Sequence, residues 1–267
     1  YDHKLIRLDW AKYLDQVEFV DQQVGKFFNY LKKENLDKNT IVIFIGDNGR
    51  CNVRGKGYLF EPGINIPLLI YNPFNKENKV INDLVTVTDL TATILNYAGI
   101  DKPKYMTGNS FLKDDFNRKY VYAARDQWDE IMDKSRAIVT KKWKYIRNYK
   151  PEIPYDAGQA YLEFYRPAVH IMRTAKSKNL LTNAQLHFFK ESKDLEELYD
   201  LENDPHEINN LALDPSFKKV MNKFRIDMEK YNKRYSPMSD EYEPIIAESV
   251  VILEWVKKNR PEEYKRM

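Results

Sequence analysis

The sequence has almost no cysteine and almost no net charge. One cysteine stands among 267 residues, so no disulfide bond can form within the chain. The 43 Lys and Arg residues nearly balance the 40 Asp and Glu residues, leaving a formal net charge of +3. This balance predicts no nucleic-acid partner. The chain also lacks an apolar run of the ~20 residues that span a bilayer, so no membrane span is predicted.

What the chain does contain is an apolar run that ends abruptly in polar residues. Residues 40–49 read TIVIFIGDNG. An unbroken series of β-branched and aromatic residues predicts a strand covered on both faces, as in a parallel sheet between helices. Asp47 and Asn48 follow at its carboxyl end, where α/β sheets bind ligands, and their oxygens suit calcium or magnesium. The alternative is an ordinary turn, because Asp-Asn-Gly is common turn chemistry.

Further segments have the order and spacing of a known family. Residues 55–70 read GKGYLFEPGINIPLLI, residues 89–100 read DLTATILNYAGI, and residues 197–207 read ELYDLENDPHE. Together with Asp-Asn-Gly, these strings resemble the sulfatase family of the alkaline phosphatase superfamily. In that family Gly-Lys-Gly, Glu-x-Gly-x-x-x-Pro and Asp-Leu-x-x-Thr-x-Leu-x-x-x-Gly follow the strand, and Leu-Tyr-Asp-Leu-x-x-Asp-Pro-x-Glu lies near the carboxyl terminus. The region after residues 144–149 is more loosely similar to the N-sulfoglucosamine sulfohydrolase branch of glycan sulfatases.

One segment that the resemblance implies is not found in the sequence. Sulfatases carry a Cys-or-Ser-x-Pro/Ala-x-Arg segment, whose first residue is oxidised to formylglycine, and an early Asp-Asp metal pair. Cys51 is followed by Asn52 and Val53 and comes after the predicted metal strand, so it does not match. We therefore expect these residues to be the carboxyl-terminal portion of a sulfatase, inactive alone. Formylglycine and further metal ligands are then expected on a missing amino-terminal part of the same protein.

The resemblance also assigns roles to individual residues. Lys56 matches the sulfatase lysine that contacts sulfate, which implies a catalytic and substrate-binding role. Asp47 and Asn48 match metal ligands, most simply for calcium, in a site that is incomplete in this chain. Arg125 leaves the first predicted strand of the second subdomain, at a point where that subdomain could close over the substrate, so we predict a sugar or sulfate contact. The alternative for Arg125 is an ion pair with Asp126 or Asp129.

Other polar and aromatic residues are predicted to be structural. Asp89 precedes an apolar helical pattern and is predicted to cap its amino end. We expect the histidine near the start of the chain to be exposed. The aromatic and histidine residues between 151 and 195 could contact a sugar, but packing of the subdomain is the commoner role, and we predict none of them as a site. They are Tyr155, Tyr161, Tyr165, His170 and His187.

The predicted fold class is α/β. Residues 1–116 are expected to form the carboxyl-terminal part of a mixed sheet sandwiched by helices, with an amphipathic helix over about 5–34 and another over 86–97. Residues 117–267 are expected to form a smaller α+β subdomain with an antiparallel sheet and a charged helical end.

The resemblance implies hydrolysis of sulfate groups from a sulfated, glycosaminoglycan-like carbohydrate, through formylglycine and a divalent cation. It also implies an extracytoplasmic location, which is periplasmic, secreted or lysosomal. Two alternatives stay open. One is phosphate or phosphonate ester hydrolysis, although such relatives commonly have Asp-His where this chain has Asp47 and Asn48. The other is a non-catalytic fragment that binds sulfated glycans.

Overall fold

A computed structural model of the chain describes residues 1–75, 78–129 and 131–235, together with residues 254, 257–259 and 261. In the first part lie α1 (Lys4–Lys33), β1 (Val42–Ile45), α2 (Glu61–Ile64), β2 (Leu68–Tyr71) and α3 (Val87–Tyr97). In the second part lie β3 (Val121–Trp128), β4 (Ile131–Val139), β5 (Trp143–Asn148), α4 (Ala160–Tyr165), α5 (Pro167–Ser177), α6 (Asn183–Leu186), β6 (Glu196–Asp200) and α7 (Lys218–Tyr235). Two 3-10 turns, His187–Phe189 and Pro215–Phe217, complete the described elements.

The first sheet has two strands, β1 and β2, which pair antiparallel with Val42 opposite Tyr71. The prediction that β1 is covered on both faces is wrong, because Phe44 is 37% exposed. Among the described residues only β2 pairs with β1, so a strand that is apolar on both faces has only part of its surface covered. Pro67 stands directly before β2, the position at which a strand tolerates proline.

The helices of the first part begin and end close to their predicted positions. Helix α1 covers the predicted range, but Leu31 is its only buried residue and Leu14 is 60% exposed. Helix α3 begins at Val87, so Thr86 is the N-cap residue and Asp89 is the third residue of the helix. Its carboxylate accepts from the backbone N–H of Thr86, whose own side chain caps the helix, in a capping box.

The second sheet is antiparallel in the order β3-β4-β5-β6. Successive side chains of a strand point to opposite faces, so Ala137 and Ile138 enter different cores. The first core contains Tyr58, Leu59 and Phe60 from the segment after β1, together with residues near α4, α5 and the His187–Phe189 turn. The second core is covered by α7, through Met221, Phe224 and Met228.

The α/β class with an antiparallel second sheet is thus confirmed, while a boundary at residues 116 and 117 stays a prediction. The predicted charged helix is present as α7, and its predicted continuation to residue 267 falls mostly outside the described residues. In the part of the chain that the structure describes, no helix has the length and apolar character to cross a membrane.

Candidate functional site

The predicted metal ligands lie in a bend immediately after β1. Asp47 is exposed and its Oδ1 accepts the backbone N–H of Asn48 at 2.9 Å. Asn48 is half-buried, and its Nδ2 donates to the carbonyl oxygen of Gly49 at 2.7 Å. Among the described residues, the second carboxylate oxygen of Asp47 and the amide oxygen of Asn48 accept no hydrogen bond. The bend therefore offers two oxygen atoms beyond those that fix the turn.

Close backbone packing brings this bend next to the segment that carries Lys56. The N–H of Gly49 donates to the carbonyl oxygen of Gly63 at 3.1 Å. A Cβ added at Gly63 would lie 2.2 Å from the oxygen of Tyr58 and 2.4 Å from that of Gly55. Only glycine fits such a contact, because any side chain would displace the backbone around it. The Asp-Asn-Gly and Gly-Lys-Gly motifs are therefore joined through the glycine of the Glu-x-Gly motif.

Lys56 is the last residue of a tightly closed loop, residues 50–56. Its backbone N–H donates to the carbonyl oxygen of Arg50 at 2.9 Å, and its ammonium lies 5.3 Å from the ring centroid of Tyr161. Gly57 has φ +85°, and a Cβ there would lie 2.1 Å from the ring of Trp128. The loop is thus packed against two aromatic side chains of the second part of the chain, Tyr161 and Trp128, and its lysine is half-buried.

Arg125 is buried on β3, with its side chain 5% exposed. Its Nε lies 3.4 Å from Oδ2 of Asp133, and its guanidinium lies 4.6 Å from the ring centroid of Tyr58 and 5.9 Å from that of Trp128. Trp128 thus contacts both Arg125 and the loop of Lys56. The carboxylate partner of Arg125 is neither Asp126 nor Asp129, and a substrate contact for Arg125 stays a prediction.

The other basic residues of the loop have structural partners. Arg54 donates to the carbonyl oxygens of His206 at 3.1 Å and Glu207 at 2.7 Å, and its guanidinium lies 4.1 Å from the ring centroid of Phe60. The guanidinium of Arg50 lies 4.8 Å from the ring centroid of Trp10. Arg54 therefore ties the loop to the last family motif.

The side-chain oxygens of Asp47 and Asn48 suit a hard cation. Calcium, however, takes about 6–8 oxygen ligands, and these residues supply only two. No group of three or more His, Cys, Asp or Glu residues in the described ranges is arranged to hold a metal ion. These two side chains are therefore suited to form part of a calcium site completed by other oxygen ligands.

A buried ion cluster that sequence reasoning missed lies beside this region. The ammonium of Lys144 on β5 is 2.7 Å from Oε1 of Glu61 and 2.7 Å from Oε1 of Glu207. Lys144 and Glu207 have fully buried side chains, and burial raises the pKa of Glu207. No local pattern marks Lys144, because both its partners are distant in sequence.

A second buried network surrounds Glu197, the first residue of the same motif. Its carboxylate accepts from Asn148 at 2.8 Å and from the hydroxyls of Tyr155 and Tyr199. Nε2 of His187 lies 3.7 Å from Oε2 of Glu197. Burial lowers the pKa of His187 to about 4, and the charge of Arg54 acts in the same direction. The expected packing role of Tyr155 and His187 agrees with their place in this buried cluster.

The predicted site residues do not line the two cavities found on the described surface. A cavity of about 590 Å³ lies between α3, the loop after it and β3, and one of about 290 Å³ lies between α1, the 50–54 segment and α5.

Two family models match the chain. The Sulfatase model matches residues 8–100, and the model described as N-sulphoglucosamine sulphohydrolase, C-terminal, matches residues 153–234. The first covers the bend after β1, the loop of Lys56 and helix α3. The second covers helices α4 to α7 and the motif that ends at Glu207.

Individual sulfatases show the same relationship. The chain is 34% identical to an ulvan-active sulfatase of Formosa agariphila over 85% of this chain and 38% of that protein. It is 28% identical to human N-sulphoglucosamine sulphohydrolase, over 84% of this chain and 48% of that protein. A solved structure of a 2-O GAG sulfatase has the same fold, with a TM-score of 0.67, 20% identity, and coverage of 91% of this chain and 48% of that chain.

The chain spans less than half the length of these relatives. Within that span, the two model matches include the bend of Asp47, the loop of Lys56 and the motif that ends at Glu207. The chain belongs to the sulfatase family.

Proposed function

We propose that the protein containing this chain hydrolyses sulfate groups of a sulfated, glycosaminoglycan-like carbohydrate. The observation that carries the proposal is the environment of Lys56. Its ammonium lies over the ring of Tyr161, and among the described residues no carboxylate forms an ion pair with it. A half-buried ammonium without a carboxylate partner, in the loop that follows two candidate calcium ligands, is well placed to bind an anion.

The chemistry of sulfate hydrolysis accounts for each of these groups. As the ester bond breaks, negative charge grows on the sulfuryl and leaving oxygens, and the Lys56 ammonium would stabilise it. Asp47 and Asn48 would hold part of a calcium site, and bound calcium would neutralise charge on the sulfate oxygens. The proposed nucleophile is a hydrated formylglycine supplied by residues outside these 267.

A carbohydrate substrate is supported by the names of the relatives. Human N-sulphoglucosamine sulphohydrolase is named for an amino sugar that carries sulfate, and its family model matches residues 153–234 of this chain. On the family resemblance we also propose an extracytoplasmic location, which fractionation of the native host would test.

The test measures sulfate release by the full-length protein. The substrates are N-sulfoglucosamine, glucosamine 6-sulfate and an aryl sulfate, with a phosphate ester and a phosphonate ester as comparators. Sulfate release that a chelator abolishes and calcium restores supports the proposal. Faster hydrolysis of the phosphorus esters would assign the alternative chemistry. Binding of sulfated glycans without hydrolysis would assign a non-catalytic role. The 267-residue chain by itself is expected to release no sulfate.

A further inference from the structure

We infer that Tyr161 is a positioning residue that holds the Lys56 ammonium and the loop that carries it. The catalytic consequence of this inference rests on the proposed function, whereas the contact itself does not. None of the family motifs in the sequence includes Tyr161, which lies in the short helix α4.

The first step is the contact between the ring and the ammonium. Nζ of Lys56 lies 5.3 Å from the centroid of the Tyr161 ring, within the range at which an aromatic face attracts a cation. A lysine side chain on a flexible four-carbon stem has many rotamers, and a cation held on a ring face loses most of them. The ring therefore restricts where the ammonium lies before an anion arrives.

The second step concerns the other end of the same loop. Cys51, near the beginning of the loop, and Arg166 both act electrostatically on the Tyr161 hydroxyl. Burial raises the pKa of Tyr161, and the interaction with Cys51 raises it further, so the hydroxyl keeps its proton at neutral pH. Tyr161 thus interacts with the loop at two places, through its hydroxyl with Cys51 and through its ring with Lys56.

The third step is the anchoring of Tyr161 itself. Nη1 of Arg166, which also acts on the Tyr161 hydroxyl, lies 3.5 Å from Oδ1 of Asp9 on α1. The ring of Tyr161 also packs near those of Tyr165 and Trp128, with centroid separations of 5.0 Å and 6.3 Å. Because α1, α4 and β3 all contribute, the ring offers a fixed surface to the lysine.

The test compares Tyr161→Leu, which removes the ring, with Tyr161→Phe, which keeps it. Tyr105→Leu is the control for loss of a tyrosine ring, because Tyr105 is 85% exposed and contacts neither Lys56 nor Tyr161 among the described residues. The first measurement is the rate of Lys56 acetylation by a limiting reagent, followed by mass spectrometry of the full-length protein. We expect Tyr161→Leu to raise this rate several-fold and Tyr161→Phe, which loses only the interaction of the hydroxyl, to raise it less, while Tyr105→Leu stays near the wild-type rate.

The second measurement is sulfate release. Misplacement of a catalytic group by about 1 Å lowers rates by up to ~100-fold, so we expect Tyr161→Leu to lower kcat by about 10- to 100-fold and Tyr161→Phe to lower it by less. If the wild type releases no sulfate, the proposed function fails but the acetylation result still tests the contact. Equal acetylation of Lys56 in the wild type and in Tyr161→Leu overturns the inference. Should Tyr161→Leu not fold, Tyr161→Met, whose unbranched side chain adapts to irregular space, takes its place in both measurements.

Discussion

The backbone N–H of Glu61 donates a hydrogen bond to Oε2 of Glu207 at 2.7 Å, although 146 residues separate them. Lys144 lies between their side chains, with its ammonium 2.7 Å from Oε1 of each carboxylate. Glu61 begins the Glu-x-Gly motif and Glu207 ends the last family motif. Two motifs from opposite ends of the chain therefore share one buried cation, and this contact fixes the second part of the chain against the segment of Lys56.

Removing that cation is expected to destabilise the protein strongly. Lys144→Met keeps the side-chain volume but leaves the buried carboxylate of Glu207 without its counter-ion, and breaking a buried ion pair in this way costs about 3–5 kcal/mol. Urea unfolding at pH 7 measures the loss. The control is Lys141→Met, because Lys141 pairs with Asp83 on the surface, where such pairs contribute about 0–1 kcal/mol. Equal losses in the two variants would contradict a stabilising role for the cluster.

His187 is expected to make stability fall on acidification. Its pKa is about 4 in the folded protein, below the ordinary 6.5, so the unfolded chain binds a proton that the folded protein does not. Above pH 6.5, His187 is neutral in both states and does not lower the free energy of unfolding. As the pH falls from 6.5 toward about 4, the free energy of unfolding decreases by an amount on the order of 3 kcal/mol. Replacing the imidazole in His187→Gln should remove this pH dependence.

The measurement for His187 is the free energy of unfolding of wild type and His187→Gln at several pH values between 4 and 7. Glu197, 3.7 Å away, acts with the opposite sign, because burial raises its pKa and its loss of a proton weakens the folded state as the pH rises. Both proteins retain Glu197, so their difference isolates the histidine. Identical pH profiles would show that His187 is not held neutral by the fold.

Short-range patterns in the sequence explain which features could be predicted. Thr86 and Asp89, three residues apart, mark the start of α3, and Pro67 marks the start of β2. The ion cluster around Lys144 could not be predicted, because its partners come from distant segments that meet only through the tertiary fold. Burial of β1 on both faces was predicted wrongly, since the unbroken apolar sequence does not specify how many strands pair with it.

The partner of Arg125 shows a different limit. Adjacent residues of a strand point to opposite faces, so Arg125 and Asp126 cannot readily pair. The irregularity between Arg125 and Gln127 places Asp126 beside Arg136 at 2.6 Å, while Arg125 turns to Asp133 on β4. The alternation was readable from the sequence, whereas the irregularity and the register of the hairpin were not.

Gly57→Ala is expected to destabilise the protein more than a glycine substitution that meets only backbone strain. Its Cβ would overlap the ring of Trp128, and its φ of +85° already disfavours a side chain. We expect the free energy of unfolding to fall by about 2–4 kcal/mol, of which about 1 kcal/mol comes from backbone strain and the rest from overpacking against the ring. Gly99→Ala is the control, because Gly99 has φ +67° and no atom within 4 Å of its added Cβ. Thermal unfolding of both variants gives the difference, and a similar loss for both would exclude the contact with Trp128 as its cause.

In the full-length enzyme, Asp47→Ala and Lys56→Ala are expected to fail in different ways. Asp47 would give its charge directly to the cation, so Asp47→Ala should lower calcium occupancy and local stability together. Lys56→Ala should leave calcium occupancy unchanged and lower turnover by about 10²–10³, as deletion of one preorganised donor at a site of growing charge does. Bound metal measured by elemental analysis and sulfate release measured on the same samples separate the two effects. If Lys56→Ala keeps the wild-type rate, the lysine is a surface cation and another group contacts the sulfate. If Asp47→Ala keeps its calcium and loses only stability, the Asp-Asn-Gly bend is a turn and the metal ligands lie elsewhere.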